Sequence, residues 1–452
     1  MEGEFRGDFS RDSFDPLKHF SRVLMQQGRV QLDADWNEQT SIVLHYLQAL
    51  ASDIIGPFGG NGFEIKLSKP NDSLTLTIGS GHYYVDGILC ENEKQFGDGS
   101  NEVLLNYYNQ PNYPIDKDQN PLPKDGSFLV YLDVWEQHIS YIEDDSIREV
   151  ALEGSDTATR AKILWQVRIG DQLMGFTTKD DLYKNWATLT QQWQPANRGM
   201  LKARGKQKAA TDTEPCLISP DMRYQGPENQ LYRVEIHKGG TAGSSQDRAT
   251  FKWSRDNSAI ALPIQSHEGK VLTVSAIGRD PMSGISDKQW IEIIDDRSEL
   301  LGEPGQLVQV AKVEGQTLTL QEDVVFKDPK VKVKVRRWDY QGKDPKNGDL
   351  PLGSDNALLI QGDGDAHWLS LEDGIQIQFQ PGATYRTGDY WLIPARTVSG
   401  NIQWPLDLGN STESERNKPM ALPPHGVEHH YAPLAILPTL EDCRKIITPI
   451  AK

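Results

Sequence analysis

The sequence has little cysteine, little methionine and no long apolar run. Its three cysteines, Cys90, Cys216 and Cys443, are spread over 452 residues. No two of them form a Cys-x-x-Cys unit, so a zinc site or redox dithiol of that kind is excluded, and so is a disulfide scaffold. They read as buried thiols in a reducing compartment. No window holds 18 apolar residues, so no membrane-spanning helix is expected. The opening MEGEFRGDFSRD lacks the apolar centre of a secretory signal, and the expectation is synthesis in the cytoplasm. Positive charge is also short: 47 Lys and Arg stand against 64 Asp and Glu, a formal charge of -17. Such a balance argues against a nucleic-acid partner held by counterion release. A phosphate-binding Gly-x-x-x-x-Gly-Lys-Ser/Thr loop is missing, as are a dinucleotide Gly-x-Gly-x-x-Gly and the Gly-x-Ser-x-Gly nucleophile elbow.

Alternating segments and turn residues are what the chain does have. The length suggests about three domains, and 39 glycines with 26 prolines suit many strands and turns. The reading is mainly β: antiparallel β modules, barrel or sandwich, preceded by a short N-terminal arm and a helix. Residues 1–60 form an extended arm plus an amphipathic docking helix. Asp33 or Asp35 caps this helix, Trp36, Ile42, Val43, Tyr46, Leu47, Leu50 and Ile54 form its apolar stripe, and Gly56-Pro57 ends it. Residues 61–170 form a first β-rich domain, with an Asp86-Gly87 reversal between strands. Residues 171–228 read as an irregular linker or insertion. A second β-rich domain covers 229–345, and 346–452 form a third β-rich segment, either separate from the second or continuous with it.

Candidate chemistry is sparse. His425 and His429 have the side chains for zinc, and Asp363 and Asp365 those for calcium, but both runs lack a full ligand pattern and fit turns equally well. Asp144-Asp145 and Asp295-Asp296 are similar. No cofactor is expected beyond these calcium or zinc candidates. Glu136 beside Trp135 and Glu292 near Trp290 are the carboxylates a polysaccharide hydrolase would use. Arg198, Lys202, Arg204, Lys206 and Lys208 form a basic run, either a solvated loop or a contact for an acidic surface. Trp253, Arg255 and Asp256, then Arg337, Trp338 and Asp339, read as internal fastenings, since an arginine between an aromatic ring and a carboxylate stacks and donates at once. Tyr385, Arg386 and Asp389 read the same way. On the arm and helix, Phe5, Phe9, Phe14, Phe20, Trp36 and Asn37 are the docking candidates.

Several segments carry a family resemblance. They are Gly7-Asp-Phe-Ser-Arg-Asp-Ser-Phe-Asp-Pro16, Met25-Gln-Gln-Gly-Arg-Val-Gln-Leu-Asp-Ala-Asp-Trp-Asn-Glu-Gln39, Trp253-Ser-Arg-Asp-Asn257, Leu371-Glu-Asp-Gly-Ile375, Tyr385-Arg-Thr-Gly-Asp-Tyr-Trp-Leu-Ile-Pro-Ala-Arg396 and His429-His-Tyr-Ala-Pro-Leu-Ala435. Together they resemble a family of uncharacterised proteins associated with phage-tail-like contractile injection systems, and the N-terminus is similar to that of baseplate and fibre-attachment proteins. The resemblance implies a structural, non-enzymatic part of the particle: baseplate, baseplate extension or plug. It implies partners among the other particle proteins, a homo-trimer or higher ring, no direct membrane insertion, and incorporation into a particle after cytoplasmic synthesis. The alternatives are a carbohydrate- or receptor-binding module of the same particle and a cell-wall or polysaccharide hydrolase.

Overall fold

The structure, a computed structural model, describes residues 3–68, 74–96, 102–111, 121–123, 126–152, 154, 156–170, 178–194, 198–206, 224–275, 284–326, 332–340, 343–344, 348–362, 368–407, 418–439 and 441–447. The protein is mainly β, and the paired strands are antiparallel. Three apolar cores divide it into three β units.

The first unit opens with helix α1 (Asp33–Ile55). Leu32 precedes the first turn, where the Asp35 carboxylate accepts from the Leu32 amide at 3.4 Å, and Asp33 and Asp35 place negative charge at the positive end of the helix. Gly56, at φ 90°, ends the helix. Behind it, the hairpin Gly81–Val85 and Ile88–Asn92 turns through Asp86 and Gly87, at φ 47° and 81°, the left-handed pair that a two-residue hairpin needs. Gly87 has a second duty, because a Cβ there would lie 2.2 Å from the Gln48 carbonyl oxygen of α1. The missing side chain lets helix and hairpin approach.

The long strands Phe128–Ile139 and Arg160–Ile169 pair over ten residues. On the far edge of Phe128–Ile139 lies the strand His430–Leu437, so the last part of the chain belongs to the first unit. Helix α2 (Lys179–Trp193) covers this sheet. The Thr178 hydroxyl caps it by accepting from the Asp181 amide. Leu182, Trp186, Leu189 and Trp193 face Leu129, Tyr131 and Ile436, with Trp193 stacked on Tyr131 at 4.3 Å. The expected irregular linker over 171–228 is therefore corrected: it holds α2 and the strand Leu201–Gly205. The spacing of those four apolar residues is that of one helical stripe, and reading the tryptophans as isolated anchors hid it.

The middle unit packs the sheet Leu358–Leu359, Thr250–Ser254, Gln230–Lys238, Tyr390–Arg396, Asn401–Ile402 against the smaller sheet Leu201–Gly205, Ile375–Phe379, Leu369–Ser370. Phe251, Phe379, Tyr385 and Trp391 fill the space between them. A closed six-stranded barrel is inserted between Thr250–Ser254 and Leu358–Leu359. Its order is Ala261–Glu268, Val271–Val274, Thr317–Leu320, Gln306–Glu314, Trp290–Asp295 and Val333–Trp338, and the last strand pairs with the first. The strands read as a third segment over 346–452, separate from or continuous with the second domain, divide between the middle and first units. Their partners are up to about 300 positions away, a distance over which alternation carries no pairing information.

Substituting Gly87→Ala is expected to lower stability by about 2 kcal/mol through left-handed strain and the clash with Gln48, read as a reduced urea midpoint.

Candidate functional site

Two places collect the residues that could do more than fill space: the arm with α1, and a cleft where the three units meet.

The arm does not run free at its start. Residues 3–7 lie across the middle unit, held by buried polar side chains. Tyr390 donates to the Gly3 carbonyl at 2.9 Å, Arg233 to the Phe5 carbonyl at 3.0 Å, and Asn257 to the Gly7 carbonyl at 3.1 Å. Asn257 takes a left-handed φ of 52°, which asparagine tolerates better than most residues. Arg6 enters a buried ionic chain: it pairs with Glu4 and, at 2.9 Å, with Glu235. Lys252 then links Glu235 at 3.2 Å to Glu292 at 2.6 Å, and the Trp338 indole donates to Glu292 at 3.0 Å. Burial alone would lower the Arg6 pKa, but Glu235 and Glu4 hold it above its ordinary value. Burial alone would raise that of Glu292, yet Lys252 and His237 pull it down to about 2.

Past this anchor the arm emerges. Phe5, Phe9 and Phe14 are half-buried; the Phe5 ring meets His138 edge-on, and Phe14 lies against His45 of α1. Phe20 is 54% exposed and Trp36 is 77% exposed, and Asn37 is exposed beside it. Helix α1 is turned opposite to the usual rule for a surface helix. Only Ala34 and Ile42 are buried along it, while Val43, Leu47, Leu50 and Ile54 face outward. The N-terminal half of the helix is tied to the arm by polar groups: Asp33 accepts from the Ser10 amide at 2.8 Å, Glu38 from the Ser13 hydroxyl at 2.6 Å, and Gln39 from the Val23 amide at 2.8 Å.

The residues read as fastenings fall into two ion-paired groups. Arg337 pairs with Asp256 at 2.7 Å and Asp339 at 3.4 Å, and Arg255 reaches Asp339 and Glu372. This group ties the barrel to the middle sheet, with Trp253 and Trp338 buried alongside. Arg386 and Arg198 converge on buried Asp389, each at 3.0 Å, and the Tyr385 hydroxyl donates to the Gln380 carbonyl. Of the basic run, Arg198 also pairs with Glu428 at 2.6 Å, and Arg204 lies on the Trp368 ring at 3.8 Å.

The cleft, of about 410 Å³, is lined by Trp135, Glu136 and His138 of the first unit, Arg336 of the barrel, and Arg386 and His429 beyond. Its charges are largely matched internally. Asp133 holds Arg168 at 3.0 Å and the His429 Nδ1 at 2.7 Å; Glu299 holds Lys334 at 2.6 Å and Arg336 at 3.1 Å. Burial, opposed in part by Glu143, lowers the His138 pKa to about 3. Burial also works against the Glu299 carboxylate, but Lys334 and Arg336 bring its pKa down to about 2.

The metal candidates are not gathered into one site. His425 lies against the Tyr390 ring, whereas His429 packs between Trp135 and Tyr431. Asp363 and Asp365 lie outside the described residues, as do Cys216 and Lys208. Asp295 caps the short helix α3 (Asp296–Leu300) by accepting from the Ser298 amide at 2.7 Å. One acidic trio, Glu143, Asp296 and Glu299, has oxygens within 4.8 Å of one another. The Lys334 ammonium already bridges Glu143 and Glu299 at 2.6 Å each, supplying the positive charge such a trio needs. Of the two hydrolase candidates, Glu292 is 1% exposed and engaged by Lys252 and Trp338, and Glu136 alone lines the cleft. Five tryptophans, Trp165, Trp253, Trp290, Trp338 and Trp391, belong to the apolar cores, whereas Trp135 lines the cleft beside Glu136.

The profile of a family of unknown function, DUF6519, matches residues 5–203 and 187–443. The chain belongs to that family. No curated protein and no solved structure matches it. In this DUF6519 chain no helix of the described residues is long and apolar enough to cross a membrane. What sequence reasoning missed is the arm-binding pocket. Arg233, Glu235, Lys252 and Glu292 stood as charged residues inside otherwise apolar strands, and that was the available signal.

Glu292→Gln is expected to cost about 3–5 kcal/mol at pH 7 by leaving Lys252 and Arg6 under-compensated. The folded Glu292 pKa lies at about 2, below its ordinary 4.5, so its stabilisation is complete above about pH 4.5 and is lost as pH falls toward 2. Urea melts should show the same difference between the two proteins at pH 7 and pH 5, and a smaller one at pH 3.

Proposed function

We propose that this protein is a non-enzymatic assembly component of a contractile injection particle, at the baseplate, a baseplate extension or a plug, and that it docks through the outward side of its N-terminal arm and α1. One observation supports this reading most. Among the described residues, 25 large apolar side chains are exposed, and 13 of them lie between Leu17 and Ile54. A concentration of that kind, in under a tenth of the chain, marks a protein contact. The segments quoted above from the first 39 residues, whose resemblance suggests such particles, lead into this same surface. The polar ties between the arm and the N-terminal half of α1 agree with a docking role, since a pre-set surface binds without the entropy cost of ordering.

The test is a pull-down from the native organism with a C-terminal tag, quantified by mass spectrometry. Sheath, tube or baseplate proteins are expected with the native chain, and at least about tenfold less with Phe20→Asp combined with Trp36→Asp. Recovery of none of them by the folded native chain would overturn the reading.

A further inference from the structure

We propose that the cleft where the three units meet binds an oxyanion, the phosphate or carboxylate group of a small ligand, clamped between the arm, the first unit and the barrel. No residue between Leu17 and Ile54 lines this cleft, so the proposal stands apart from the docking reading above.

Unpaired hydrogen-bond donors carry the argument. Four buried nitrogens of cleft-lining side chains have no acceptor among the described residues: Arg6 Nη1, His138 Nε2, and Arg336 Nε and Nη1. They come from three parts of the protein: the arm, the strand Phe128–Ile139 and the barrel strand Val333–Trp338. Arg6 and Arg336 are only 5% and 4% exposed, so neither guanidinium can turn to bulk water instead. A buried donor left without a partner costs more than an ordinary hydrogen bond contributes. Four of them along one cleft call for a ligand that accepts.

The carboxylates of the cleft show no such surplus. Glu4 is engaged by Arg6, Asp133 by Arg168 and His429, and Glu299 by Lys334 and Arg336. A cationic ligand would have to break these pairs, whereas an oxyanion meets donors that break nothing to receive it.

Charge favours the same class. Burial keeps the His138 imidazole neutral, and Arg336, Arg6 and Lys334 act in the same direction against Glu143. Three cations thus crowd one uncharged ring, and their positive potential is what an oxyanion needs. The imidazole can carry its proton on Nε2 and donate it. Arg336 uses only Nη2 on Glu299, at 3.1 Å. Guanidinium groups suit phosphate and carboxylate because two oxygens of such a group can accept from one fork. The four nitrogens lie within the cleft wall, so the Arg336 side chain tilts toward the cleft as the anion enters, a rotation that its χ angles allow. At about 410 Å³ the cleft exceeds a bare phosphate and fits an anion carried on a small organic molecule. Trp193 and Tyr431 line it as well and offer apolar surface to the rest of that molecule.

The test is isothermal titration calorimetry of the full-length chain with sodium phosphate and with sodium citrate, at constant ionic strength set by sodium chloride. One-to-one, saturable binding of either is expected, and the anion that responds names the group. Arg336→Lys keeps a cation for Glu299 and removes the spare guanidinium donors. His138→Phe keeps a ring against Phe5 and removes Nε2. Each should weaken binding at least about tenfold with an unchanged circular dichroism spectrum. Lys312→Gln, at an exposed ion pair on the barrel, should bind as the native chain does. Amide exchange of residues 3–7 should slow when the anion saturates, because Arg6 joins the clamp. No saturable binding of either anion up to about 50 mM would overturn the proposal. So would native affinity in both cleft variants, or protection confined to another part of the chain.

Discussion

The buried ionic chain from Arg6 through Glu235 and Lys252 to Glu292 is the interaction on which the rest of the arrangement rests. Arg6 belongs to the arm, Glu235 and Lys252 to the middle sheet, and Glu292 to the barrel, so the chain joins three parts of the protein. Ionised groups so deeply buried are costly unless every charge has a partner. Each carboxylate here has a cation on both sides or a donor beside it. The arrangement therefore works as a unit, with the Trp338 ring beneath Lys252 and near Arg6 closing it off from water. Because the arm is anchored at residues 3–7, the chain that follows leaves the protein from a fixed point, and α1 is presented in one orientation.

The same logic recurs where the units join. Arg337 with Asp256 and Asp339, and Arg386 with Arg198 and Asp389, sit between separately packed apolar cores. The cores are closed by aliphatic and aromatic packing, which is tolerant of small shifts. The forked, directional contacts of arginine are not tolerant, and they set how one unit sits on the next. Arg386 of the second group also lines the cleft, whose own charges are matched by Asp133 with Arg168 and His429 and by Glu299 with Lys334 and Arg336.

Much of the local architecture was legible in the sequence. The Asp86-Gly87 turn, the limits of α1 and the alternation in Ile375–Phe379 all depend on neighbours within a few positions. Helix α2 was legible in principle, since Thr178 and the spacing of Leu182, Trp186, Leu189 and Trp193 were there to be read. Pairing was not: nothing near His430 says that its partner strand begins at Phe128. Nor does the pattern of α1 reveal which side faces the protein. An apolar stripe predicts a covered surface, and whether the cover is the same chain depends on polar contacts such as Glu38 with Ser13. The fastening residues were visible as arginine–aspartate pairs, but their convergence across distant segments was not.

The position of the strand His430–Leu437 bears on how the chain is made. It completes the sheet of Phe128–Ile139, nearly 300 residues earlier in synthesis. Until the ribosome has delivered His430–Leu437, Phe128–Ile139 has one edge of unpaired amides and carbonyls, lined by apolar residues, and α2 lacks part of the surface it covers. Such an edge is a template for wrong pairing with other nascent chains. Folding of the first unit must wait for His430–Leu437, so a product cut short before it would be sticky rather than merely incomplete.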